Sequence, residues 1–109
     1  MVVAERRLII SDPAGDKEVV IRLYQPEGKD GAWGCRYEIN WPDRKWSSSA
    51  WGADSMQALI FALQKIGIEI YNSSYHESGS LKWYEPNKGY GFPVSHNVRD
   101  LLIGDDLNL

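Results

Sequence analysis
Residues 54–71 read DSMQALIFALQKIGIEIY, and this stretch decides the fold because it alone carries a sustained helical apolar period. At about 100° per residue, Leu59, Leu63, Ile66 and Ile70 share a narrow stripe, with Met56 and Ala62 on its flanks. Asp54 or Ser55 supplies an N-cap oxygen for the orphan N–H groups of the first turn, and Gln57 is placed to reciprocate. The spacing predicts one helix running to Tyr71 or Asn72. Gly67 weakens it by about 1 kcal/mol against Ala, and close approach of helix to sheet would account for it. Phe61 and Ile68 lie opposite the stripe, where a helix backed by water should carry charge. Either the chain's own tail covers them, or a second subunit does, or they are exposed. Folding back of the tail is the leading expectation, with Tyr90 and Phe92 as covering residues.

Upstream of the helix the period changes from helical to alternating. Residues 2–11 set Ala4, Leu8 and Ile10 against Glu5, Arg7 and Ile9, and residues 17–25 set Val19, Ile21 and Leu23 against Val20, Arg22 and Tyr24. Residues 33–41 place Cys35, Tyr37 and Ile39 on one side, and residues 45–51, KWSSSAW, make a fourth strand. The turn cluster at 12–16, a loop at 26–31 and a turn at 42–44 separate them. Connections this short favour an antiparallel meander, since parallel neighbours need crossovers. The expected fold is therefore α+β in two layers within a single domain: a four-stranded antiparallel meander covered on one face by the helix.

Beyond the helix, residues 75–80 read as a polar loop and 81–84 as a short edge strand or extended chain. Residues 86–93 are too rich in Gly and Pro for regular structure. Ser95 or Asn97 is positioned to cap a short helix over 98–103 stopped by Gly104, and 105–109 should fray.

With 109 residues, 43% of them hydrophobic, a net charge of −3 and a pI near 5.3, the chain has an ordinary globular composition. Its scattered Lys and Arg argue against nucleic acid as a partner. Nothing approaches the ~18 apolar residues needed to span a bilayer, and the first residues lack a signal-peptide core. The lone Cys35 suits a reducing compartment, so the expected location is cytoplasmic.

Three segments together resemble a family of small bacterial proteins of unknown function: the strand WGCRYEI, the tract SSSAWGADSMQALIFAL, and LKWYEPNKGYGFPV. They fall within residues 17–94. The resemblance implies a small α+β domain of bacterial origin and carries no catalytic or binding role to any residue.

Five tryptophans are the most unusual feature of the composition. Trp46, Trp51 and Trp83 are the candidates for a ligand-stacking platform, against the alternative that the tryptophans build core and rim. Trp46 and Trp51 differ in parity, so a regular strand sends them to opposite faces. Ser47, Ser48 and Ser49 lack the Gly-x-Ser-x-Gly turn of a nucleophile elbow. His76 and His96, even with Cys35, Glu77 and Asp100, show no metal-ligand spacing, so neither metal nor cofactor is expected. Gly89-Tyr90-Gly91 lacks the helix and Lys-Ser/Thr of a phosphate loop. The dispersed acids, Asp105 and Asp106 among them, read as solvated surface. These observations favour a non-enzymatic protein-interaction or accessory module, its partner a second copy or another protein, with Phe61 and Ile68 at the interface. The alternatives are a small-ligand binder using exposed tryptophans, an immunity-type inhibitor of a basic partner, and an enzyme.

Overall fold
The computed structural model describes residues 1–94 and 101–108. The elements are β1 (Val2–Ile10), β2 (Lys17–Tyr24), β3 (Glu27–Lys29), β4 (Ala32–Asn40), β5 (Lys45–Gly52), α1 (Ser55–Tyr71), the single turn α2 (Ser74–Glu77) and β6 (Leu81–Lys82), with a closing 3-10 turn at Gly104–Asn108. The mixed α+β architecture is the one expected. β1, β2, β4 and β5 pair antiparallel in sequence order, and α1 packs over β4 and β5.

Two strands enlarge the expected four. β6 pairs with the outer edge of β1, matching Ile10 with Leu81. β3 falls in the stretch expected to be a loop and corrects that expectation. Leu23 is opposite Tyr37 and Glu27 is opposite Gly34, so three residues, 24–26, face only two, 35 and 36. This is a bulge: Pro26 has no N–H to offer the ladder, the register slips by one, and pairing resumes. Residues 75–80, also expected as loop, begin inside α2, whose first turn is capped when His76 N–H donates to Ser73 Oγ at 3.2 Å.

The inner face of the sheet carries the alternating set expected, Leu8, Ile10, Val19, Ile21, Leu23, Cys35, Tyr37 and Ile39, all buried; Ala50 of β5 joins them, while Ala4, expected with them, is exposed. The helix is capped as its sequence indicates. Asp54 Oδ1 accepts from Gln57 N–H at 2.7 Å, while Gln57 Oε1 reaches back to Ala53 N–H at 2.7 Å. Its buried row is rotated from the bulky stripe to Ala58, Ala62, Ile66 and Ile70, with Leu59 and Leu63 at the margin and Met56 exposed. Small side chains let the rod lie closer to the large Tyr37 and Ile39 beneath it.

A helix is about 10–12 Å across and strands are about 4.8 Å apart, so one helix covers roughly two strands. The β1 and β2 half of the sheet needs a second cover. The C-terminal segment supplies it: Phe92 and Pro93 line one cleft with Ala4, Ile21 and Leu23, and Tyr90, Val94 and Leu102 are buried in the same core.

Candidate functional site
What holds that segment down was not legible in the sequence. Arg6 lies on the inner face of β1, between the rings of Trp83 (3.8 Å) and Phe92 (4.8 Å), and donates through Nη1 to the carbonyls of Tyr90 (3.1 Å) and Gly91 (2.9 Å). Asp106 takes the other polarity of the same two residues. Its carboxylate accepts the N–H of Tyr90 at 2.8 Å, the N–H of Gly91 at 2.7 Å and the Tyr71 hydroxyl at 2.5 Å. Gly89, at φ +90°, leaves room for that carboxylate, which a Cβ there would meet at 2.5 Å. The Gly-Tyr-Gly loop thus does bind an anion through its N–H groups, and the anion is the chain's own Asp106. The end expected to fray instead buries a carboxylate that is only 1% exposed, which corrects its reading as solvated surface.

Around this latch burial shifts Tyr71, Tyr90 and His76 toward their neutral forms. Burial, and then the hydrogen bond to Asp106, pushes the Tyr71 hydroxyl far above its usual value, and burial pushes Tyr90 to about 12. His76 Nδ1 shares a hydrogen bond of 2.5 Å with the Tyr90 hydroxyl, and burial lowers its pKa. Tyr71, Tyr90 and His76 meet edge to face. The cluster fastens the tail to the C-terminal end of α1.

The tail then divides the outer surface of α1. A Cβ on Gly67 would meet Val94 Cγ2 at 3.0 Å and Pro93 O at 3.1 Å. The close approach at this glycine is therefore to the tail, not to the sheet. Ile68 lines a small cavity with Tyr71, Val94 and Leu101, so the tail covers it. The covering residues are Val94 and Leu101, whereas Tyr90 and Phe92 point into the core. No such cover reaches the first turns among the described residues: Met56 is 68% exposed, Ile60 46% and Phe61 38%. Between tail, helix and sheet runs a cleft of about 200 Å³, walled by Ile21, Leu23, Leu63, Ile66 and Phe92, with Arg6 at its margin.

The three tryptophans proposed as a platform are not brought together. Trp46 is opposite Ile39 on the inner face and packs against the core, its Nε1–H without a partner among the described residues. Trp51 is opposite Gly34 on the helix-free face and is 56% exposed. Trp83 follows β6, at the other edge of the sheet, against Arg6 and Tyr84. Cys35 is buried, donates to Tyr24 O at 3.3 Å, and has its thiol pKa raised by burial. The expected helix at 98–103 lies largely outside the described residues, as does His96. Among the described residues no cluster of His, Cys, Asp or Glu is arranged to hold a metal ion, and no helix is long and apolar enough to cross a membrane.

The helix-free face is laced with charge. Glu38, 5% exposed, accepts from the Tyr24 hydroxyl (2.8 Å), Arg36 Nη1 (2.7 Å) and Lys45 Nζ (3.3 Å). Burial works to raise its pKa, but these three donors outweigh it and hold the carboxyl below the usual range.

A family model described as a domain of unknown function (DUF6968) matches residues 4–94, and the chain belongs to that family. Comparison with curated proteins and with solved structures finds no match.

Proposed function
We propose that this family member is a non-enzymatic protein-binding module whose partner seats on the first turns of α1. The observation that carries this is the division of the helix by the tail. The same rod is sealed from Gly67 onward and leaves Met56, Ile60 and Phe61 in water over its first turns. Large apolar side chains grouped on a rigid element are what a partner buries at the centre of an interface. The hydrogen-bonding groups near the tail are spent on one another, which supports a structural use of His76, Tyr71, Tyr90 and Asp106 rather than a catalytic one.

The partner is a second copy of this chain or a different protein, and one pair of variants addresses both. Ile60→Glu with Phe61→Asp places charge on exposed positions and should leave the melting temperature nearly unchanged. Light scattering on the wild type gives either the 12.4 kDa monomer or about twice that mass. Affinity capture from the native cell is run in parallel with wild type and variant. A dimer or a captured protein that disappears in the double variant supports the reading. A monomeric wild type whose captured proteins are identical to those of the variant overturns it.

A further inference from the structure
The helix-free face carries a second concave site, independent of α1, and the geometry points to a hexose ring stacked on Trp51 as its ligand. Strand register puts Glu27, Gly34 and Trp51 in one row across β3, β4 and β5. Gly34 has no side chain, so the indole lies down on its backbone; a Cβ there would be 2.8 Å from the ring. The neighbouring row pairs Arg36 with Ser49, and the Arg36 guanidinium stacks on the Tyr24 ring at 3.8 Å. With Gln25 and Lys29 these residues enclose a hollow of about 340 Å³, at the small end of ligand sites, which run from about 300 to 1,000 Å³.

Covering a cross-strand glycine is by itself a structural service of an aromatic residue. Trp33 does the same over Gly28, its ring 3.2 Å from where a Cβ would stand. That service accounts for the inner face of the Trp51 indole and leaves its outer face open, making it the most exposed of the five tryptophans. An indole face is electron-rich and attracts the weakly positive C–H groups on one side of a pyranose ring. The ring's hydroxyls radiate in its plane, where the Gln25 amide, the Glu27 carboxylate, the Ser49 hydroxyl and Lys29 line the same hollow. A nucleobase would stack equally well. The rim does not favour its phosphate, because Glu38 already answers the charge of Arg36 at 2.7 Å and the Glu27 carboxylate offsets Lys29.

Saturation-transfer NMR on the whole chain tests this with methyl glucoside, methyl galactoside, N-acetylglucosamine and cellotriose at millimolar concentration, and adenosine monophosphate as the nucleotide arm. Transfer to at least one sugar is expected, strongest at the C–H protons of one ring face. Trp51→Ala should weaken that binding at least tenfold, while Trp33→Phe changes it less than twofold. Because Trp51→Ala bares Gly34 and can loosen the sheet edge, Glu27→Ala on the exposed β3 provides the second reading, with about threefold weaker binding and an unchanged melting temperature. No transfer to any of the sugars, equal transfer in Trp51→Ala, or binding of the nucleotide alone overturns the proposal.

Discussion
Asp106 is the residue on which the fold of the tail turns. Removing its carboxylate leaves the buried Tyr71 hydroxyl and Tyr90 N–H, and the partly buried Gly91 N–H, without that acceptor. Asp106→Ala should therefore cost roughly 2–4 kcal/mol, measured by urea denaturation. Gly89→Ala should cost about as much, since its Cβ would strike that carboxylate and its φ of +90° strains any L side chain. Two other groups make stability depend on pH, in separate windows. Glu38 titrates below its usual 4.5 when folded, so its contribution is present above that pH and is lost as pH falls through the depressed value. Glu38→Gln should flatten this acid limb of the denaturation midpoint. His76 titrates below its usual 6.5, so the unfolded chain binds the extra proton first and stability declines as pH drops below that value. None of these roles was legible in the sequence. A carboxylate near a chain end reads as solvated unless its donors are known, and those donors come from residues 15, 16 and 35 positions away.

At the scale of elements, periodicity located β1, β2, β4, β5 and α1 because each is set by local alternation or by capping. It misjudged the rotation of α1, since Leu outranks Ala on hydrophobicity while distance to the sheet favours Ala58 and Ala62. It lost β3 because Pro and Gly inside a polar run read as loop, and only pairing with the Trp33 and Gly34 region defines that strand. Gly67 stands out in the sequence as an anomaly, and the neighbour that explains it is the tail rather than the sheet. Gly67→Ala gains up to about 1 kcal/mol of helix propensity but presses Cβ onto Pro93 O at 3.1 Å and Val94 at 3.0 Å. The backbone carbonyl yields little, so the substitution should be neutral to destabilising by about 1 kcal/mol in thermal denaturation, where an exposed helical Gly→Ala would stabilise. Ile66→Ala, in the buried row, should cost about 2–5 kcal/mol.

For the whole molecule, the width of the sheet is the controlling quantity. One helix seals β4 and β5, and the tail seals β1 and β2 only because Arg6 and Asp106 grip residues 90 and 91 from opposite sides. The exposed first turns of α1 are what remains after both covers are in place. Amide hydrogen exchange, comparing wild type with Asp106→Ala, probes this most directly. Loss of the latch should speed exchange at residues 67–71 and 90–91 while leaving residues 58–62 at their wild-type rates. Exchange that is unchanged at 67–71, or that rises uniformly along α1, would contradict the division of the helix by the tail.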